Sequence, residues 1–465
     1  MQDRAAMKVG AASNGELSAE QRKGMFALML GLALASLDTA IANTALPQIA
    51  IGLHSTPAAS VWIVNAYQLA MVAAMLPLVA LGDKIGPKRV FLVGMVVFVV
   101  ASLFCALSPN LLTLTLSRIV QGFGASAVMG VVLALIRYIY PPHRLGRGYG
   151  LNAMIAGSCM AVGPTVASLL LSVASWPWLF AINIPVGLFG LYFAVSHLPV
   201  VPKRGHAFDP ITGLLNGGAF GLLVFGFVEA SQQAPLLIIL PSLLVSAMCF
   251  LTLIRRERGH PTPMLPVDLF RRPMFSLSLL TAMFAFCTQG VAFVALPFYF
   301  ETVLGRSPIQ TGFLMTPWPA TVALMAPFAG RMADRYPVGI LGGIGLAVLS
   351  AGMLSLVFMP AEPTALGICI RMTFCGIGFG FFQSPNLKAI MSSAPAERAG
   401  SGSGMIGTSR LLGQSSGAAL VALSFGIFGH HGSTLSLMWG AGLSGAGCLI
   451  SVLRMVGGAA PRAHK

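Results

Sequence analysis

Fourteen apolar stretches, each long enough to cross a bilayer as a helix, follow one another along this chain. A crossing helix needs about 20 mainly apolar residues. The stretches fall at 25–46, 59–81, 90–108, 111–136, 147–172, 177–197, 210–230, 235–254, 274–300, 309–332, 338–359, 364–390, 399–428 and 434–455. In lipid every backbone N–H and C=O must find its partner inside the protein, so runs of this length read as helices. The chain is 56% hydrophobic and 9% charged, far from the roughly 25% charged of a soluble domain. The expected fold class is an all-α integral membrane protein with 14 transmembrane helices. Arg22 and Lys23 before an apolar run, with Ala33-Leu34-Ala35 beyond, resemble a signal peptide. The run continues to about Pro47 and many spans follow, so an uncleaved first span is expected.

The placement of the basic residues orients the spans. With the N-terminus in the cytoplasm, 24 of the 28 Lys and Arg fall in the two tails, in cytoplasmic loops, or at the span ends beside those loops. Only Arg306 falls in an outer loop, and Arg118, Arg371 and Arg410 lie inside spans. That is the bias the positive-inside rule demands. It accounts for the net charge of +15 as attraction to an anionic inner leaflet, with no need of nucleic acid. The expected location is the cell inner membrane, multi-pass, with both termini cytoplasmic.

The two ends of the chain echo each other. PPHRLGRGYG at 141–150 matches PAERAGSGSG at 395–404, an offset of 254. Pro47 and Pro297 close similar ALP runs 250 apart, Asp83 and Asp334 lie 251 apart, and Arg118 and Arg371 lie 253 apart. Four landmarks near one offset imply a six-span unit repeated in the same orientation, with spans 7 and 8 inserted between. The expected organisation is a cytoplasmic tail at 1–24, a six-helix bundle at 25–200, a two-helix insertion with its linkers at 201–272, a second bundle at 273–456 and a cytoplasmic tail at 457–465. Parallel repeats of this kind suit a transporter that rocks two bundles about a central site.

At these landmarks the chain resembles the major facilitator superfamily, specifically its fourteen-span drug:proton antiporter family. LDTAIANTALPQIA at 37–50 resembles the first-span motif, LGDKIGPKR at 81–89 the motif of loop 2–3, and RIVQGFGAS at 118–126 the fourth-span motif. Gly163-Pro164 resembles the antiporter motif of span 5. WPWLFAINIPVG at 176–187 and LPFYFETVLGRSPIQTG at 296–312 resemble further stretches of that group. The chain departs from these patterns at Val79, Pro87, Pro177 and Glu301, and Ala167-Ser168 stands where the antiporter motif ends in two glycines. The resemblance implies a major facilitator fold of two parallel six-helix bundles plus two extra central helices. It also implies proton-driven export of small hydrophobic or amphipathic molecules, and gating by Asp83, Lys88, Arg89, Asp334 and Arg335 on the inner side. Transport of small organic anions or metabolites by symport or uniport is the alternative.

Asp38 is the only acid well inside a span. A carboxylate there costs about 2.5–3.5 kcal/mol on insertion scales, so it should face a cavity or a partner. Helical rise puts Asp38 and Arg118 at similar depth, and the two are expected to meet and to couple transport to protons. Burial favours a neutral carboxyl and a nearby cation favours a charged one, so moving the arginine would switch the proton on or off. Asn43, Gln121, Asn152, Gln289, Arg371, Gln383 and Arg410 are the expected lining of a substrate cavity. The sequence carries no Walker A stretch, HExxH or Gly-x-Ser-x-Gly elbow, so neither an enzyme nor an ATP-driven pump is expected within this chain. No cofactor and no metal are expected. The partners are a small-molecule substrate, protons and the lipid bilayer, with an adaptor and an outer-membrane channel compatible.

Overall fold

A computed structural model describes residues 18–140, 145–200, 209–231, 234–258, 265, 268–333, 335–360, 362–393, 399–429 and 432–457. Among them there is no strand. The helices are α1 (Ala19–Gly52), α2 (Trp62–Ile85), α3 (Pro87–Ala106), α4 (Leu111–Ile139), α5 (Leu145–Val173), α6 (Asn183–His197), α7 (Pro210–Ser231) and α8 (Leu236–Glu257). They continue as α9 (Pro273–Phe298), α10 (Pro308–Met315), α11 (Pro317–Met332), α12 (Val338–Val357), α13 (Ala365–Ser393), α14 (Ala399–Phe428) and α15 (Gly432–Gly457). One-turn helices at Pro57–Ser60 and Trp178–Ala181 lead into α2 and α6, and a π-helical turn at Tyr299–Val303 extends α9. Reciprocal side-chain caps start three helices: Ser18 with Gln21, Asn110 with Thr113, and Ser307 with Gln310. Each satisfies backbone donors that the first turn leaves open.

Thirteen helical segments among the described residues are long and apolar enough to cross a membrane. The remaining expected span, 309–332, is two helices of 8 and 16 residues that break at Thr316. Pro317 and Pro319 remove two backbone donors within three residues, which interrupts the ladder there.

The internal repeat is a repeat of packing. In the first half α1 packs on α4, α5 and α6, α4 on α2 and α3, and α3 on α6. In the second half α9 packs on α13, α14 and α15, α13 on α11 and α12, and α12 on α15. The closest crossings recur as well. A Cβ on Gly124 would stand 2.6 Å from the Phe98 nitrogen, and one on Gly378 would stand 2.4 Å from the Leu349 nitrogen. No residue with a side chain fits at either crossing, so each half needs glycine where α4 meets α3 and where α13 meets α12.

Between the halves, α5 meets α10 and α11, α14 meets α2, and α1 meets α9. Helix for helix, these contacts obey one pseudo-twofold relation. The inserted hairpin breaks it, because α7 lies against α2 and α14 while α8 packs chiefly on α7. Much of α8 exposes leucine, valine and methionine, including Leu237, Leu244 and Met248, as a helix facing lipid should.

Candidate functional site

Asp38 stands midway along α1 and is 1% exposed. Its Oδ2 accepts a hydrogen bond from Nη1 of Arg118 on α4, which is also 1% exposed. Its Oδ1 accepts from Nε2 of Gln121 at 2.9 Å and from Nδ2 of Asn183 at 2.8 Å. Asn183 is the first residue of α6, so three helices converge on one carboxylate. Arg118 and Gln121 are three apart on α4 and share a face. Nη1 of the arginine also donates to Gln121 Oε1 at 2.6 Å, and its Nε donates to the Ile63 carbonyl at 3.2 Å. The guanidinium lies 4.0 Å over the ring of Tyr67, with the Phe180 ring 5.6 Å away on another side. A buried ion pair survives only when both charges keep further hydrogen bonds, and this pair has them on both sides.

The structure therefore brings Asp38 and Arg118 into contact. It places Gln121 in their cluster rather than on a cavity wall, with Ser102 Oγ as a further partner at 2.9 Å. Asn183, Tyr67 and Phe180 complete the cluster and were missed in the sequence. Asn183 is the one amide in its span, and a lone amide in lipid needs a partner, which was the available signal.

The other expected cavity residues divide. Gln289 of α9 accepts from Gln414 of α14 at 3.0 Å, and Asn43 and Asn152 each leave a buried Oδ1 without a hydrogen bond among the described residues. Gln383 is half-buried on α13. Arg371 is taken up within the second half: Nε donates to the Ser355 carbonyl of α12 and Nη1 to the Gly367 carbonyl of its own helix, both at 2.9 Å. Arg410 on α14 lies close enough to Tyr67 to interact with it electrostatically.

Polar contacts also join the two halves. Gln48 Nε2 of α1 donates to Glu301 Oε2 at 2.8 Å, beside a cavity of about 290 Å³. The hydroxyls of Thr165 and Thr316 meet at 2.8 Å, and Ser168 Oγ donates to the carbonyl of Pro308 at 2.7 Å. Ser415 Oγ of α14 donates to Gln68 Oε1 of α2 at 3.0 Å. Pro164 stands at the seam, where a Cβ on Gly312 of α10 would come 2.4 Å from its carbonyl oxygen. Gly163 instead packs inside the first half, where its Cβ would stand 2.3 Å from that of Ala40.

Of the expected gate residues, Asp334 and the side chain of Asp83 lie outside the described residues. Arg89 and Arg335 are exposed. Lys88 is committed elsewhere, because its Nζ donates to the carbonyls of Val195 and Leu198 at 3.0 and 2.7 Å. It thereby closes the C-terminal turn of α6, a position that favours a cation. Arg454, read from the sequence as a cytoplasmic tail charge, is 1% exposed and donates to Ser278, Asn386 and Ser451. It ties α9, α13 and α15 together.

Two matching six-helix sets, a charge cluster buried in one of them and a polar seam between them are the construction of a multi-pass membrane transporter. The chain belongs to the Major Facilitator Superfamily, whose sequence profile matches residues 28–418. It is 49% identical over 438 residues to the "Uncharacterized transporter YebQ" of Escherichia coli (strain K12), covering 94% of this chain and 96% of that protein. It is 28% identical over 400 residues to "Riboflavin transporter RibZ" of Clostridioides difficile (strain 630), covering 86% and 87%. It is 30% identical over 403 residues to "Multidrug resistance protein Stp" of Mycobacterium tuberculosis (strain CDC 1551 / Oshkosh), covering 85% and 74%.

Proposed function

We propose that this chain exports small hydrophobic or amphipathic molecules across the inner membrane in exchange for protons, with both termini in the cytoplasm. Two six-helix bundles rock about the seam between them and expose a central cavity to each side in turn. Asp38 carries the proton and Arg118 is its counter-charge. The observation that carries this reading is the Asp38 carboxylate itself: buried mid-span, held by one cation and two amides, and reachable by change in any of three helices. Intramembrane ionisable groups mark ion and proton pathways. When α4 shifts and the guanidinium withdraws, burial favours the protonated form. Similarity to a protein named for multidrug resistance supports export of hydrophobic solutes, and similarity to one named for riboflavin supports a metabolite as the second reading.

The test uses everted membrane vesicles with an established pH gradient, to which the apolar probe phenylnaphthylamine is added. Wild type should collapse part of the gradient as the probe is exchanged. Asp38→Asn should abolish that response while eluting and melting as a folded protein, and Asp38→Glu should restore part of it. Proton-linked flux that persists in Asp38→Asn would reject the assignment.

A further inference from the structure

Arg410 has no counter-charge among the described residues. It stands eleven residues into α14, about 16 Å along the axis. That is near the middle of a hydrocarbon core about 30 Å thick. Among the described residues no carboxylate lies within ion-pair distance of it. The only acid deep in a span, Asp38, is already held by Arg118, Gln121 and Asn183. Every other acid belongs by sequence to a polar segment or to the last turns of a span. Asp83, on the same helix as Tyr67, is sixteen residues away from it, or about 24 Å.

The direction of the side chain follows from the packing of α14. A Cβ on Gly413 or Gly417 would press on α9, and one on Gly404 or Gly407 would press on α2. On a wheel of about 3.6 residues per turn, Arg410 and Gln414 fall between those two faces. α9 belongs to one half and α2 to the other, and α1, which packs on α9, closes the far side of the gap. Arg410 thus points into the space between the halves and away from lipid. It is half-buried there. Tyr67 is a neighbour of both cations: its ring lies under Arg118, and Arg410 is close enough to act on it electrostatically. Among the described residues one of these cations has its acid and the other does not. About one turn further along α14, Gln414 donates to Gln289 of α9 and Ser415 donates to Gln68 of α2, both at 3.0 Å.

A cation in the membrane interior is expensive unless a counter-charge or water meets it. We propose that Arg410 receives the anionic group of the substrate, and that the molecules carried are amphipathic organic anions: an apolar body bearing a carboxylate, sulfonate or similar oxyanion. The planar guanidinium matches such a group with paired hydrogen bonds. The amide of Gln414, on the same face of α14 one turn on, takes its remaining polar atoms, and the apolar body lies toward α2 and α9. The proposal rests on the reading of this chain as an exporter and names its substrate class.

The experiment compares two probes of one skeleton, the anion anilinonaphthalenesulfonate and its uncharged parent phenylnaphthylamine. Binding to the purified full-length protein is measured as the signal that excess unlabelled probe removes. Wild type should hold the sulfonate more tightly than the parent. Arg410→Gln should weaken the sulfonate by about ten- to hundredfold, the worth of a charge-assisted hydrogen bond, and leave the parent within about twofold, well inside the tenfold steps of that scale. Arg410→Lys should fall between. Equal affinity of the two probes for wild type, no binding of the sulfonate, or equal weakening of both in Arg410→Gln overturns the proposal. Proton-linked flux in vesicles separates the two readings. Sulfonate binding that depends on Arg410, without any flux, sinks export alone. Flux of the parent that Arg410→Gln leaves untouched, with the sulfonate not carried, sinks the anionic class alone.

Discussion

Gly163→Ala probes the crossing that brings α5 onto the helix carrying Asp38. The added Cβ would stand 2.3 Å from the Cβ of Ala40, with the Cα and carbonyl carbon of Ala40 at 3.5 Å. Carbon atoms rest at about 3.5–4.0 Å, so α1 and α5 must part by more than about 1 Å. Neither methyl has a rotamer to turn away, and the strain passes to the two backbones. Overpacking of this kind costs about 1–3 kcal/mol. Asp38 precedes Ala40 by two residues, so the same displacement shifts its carboxylate against Arg118, and proton-linked transport should fall along with stability. Ala40→Gly removes the opposing methyl. Alone it should cost about 0.5–1 kcal/mol as a glycine within a helix. Combined with Gly163→Ala it should recover most of the loss, a coupling that only neighbours show. The assay is thermal unfolding read by a thiol-reactive dye, since Cys105, Cys287 and Cys375 are free and buried and react once the bundle opens. Gly163→Ala melting like wild type would refute the reasoning, and so would a double variant as unstable as the two costs added.

Ser168→Gly restores the glycine usual at the end of the antiporter motif but deletes the bonds to the Pro164 and Pro308 carbonyls. It should cost about 0.5–1.5 kcal/mol in the same melting assay. Asn386→Ala deprives the buried Arg454 of the acceptor at 2.6 Å and should cost about 1.5–3 kcal/mol. Arg454→Met, which removes the buried charge itself, should cost less; the reverse order in thermal melts would refute this account of the cluster. At the start of α7, hydrogen bonds from the Thr212 hydroxyl and from Arg256 hold the Asp209 carboxyl down to about 2, below its ordinary 3.8. A depressed acid contributes stability above its ordinary value and loses it as pH falls through the lowered one. Amide exchange in the first turn of α7 should therefore stay constant from about pH 7 to pH 5 after correction for the intrinsic rate, and begin to rise only below about pH 4. Asp209→Asn should raise it throughout that range.

The helices were legible because lipid imposes one rule on every span, and the repeat was legible because its landmarks sit in motifs. The meeting of Asp38 and Arg118 could be inferred from depth alone, since helical rise fixes depth along each span. Which way a side chain turns is set by neighbours that rise does not report. Arg371 shares the landmark offset of Arg118 yet bonds to the carbonyls of its own turn and of Ser355. Lys88 reads from the sequence as a gate residue and Arg454 as a cytoplasmic-side charge, but the ends of α6 and α15 give them carbonyl and amide partners. Periodicity carried 309–332 through as one span because hydropathy does not register two lost backbone donors at Pro317 and Pro319.

What the two halves share and where they differ separates scaffold from chemistry. Tyr67 and Trp318 occupy corresponding positions 251 apart. Each lies under a glycine of its partner helix, Gly122 over the Tyr67 carbonyl and Gly376 over that of Trp318. Close crossings are demanded of any bundle built this way, so both halves keep them. The position of Asp38 corresponds at the Pro47–Pro297 offset to Thr288, whose hydroxyl bonds to the Phe284 and Gly440 carbonyls. A second carboxylate there would add an insertion cost of about 2.5–3.5 kcal/mol and a second proton to every cycle. With a neutral threonine in its place, the second half carries in Arg410 a cation that has no acid partner among the described residues, the one proposed to meet the substrate. On the proposed reading the repeat permits what a single symmetric cavity would not: one half to bind the proton, the other to hold the anion, and the seam between them to link the two events.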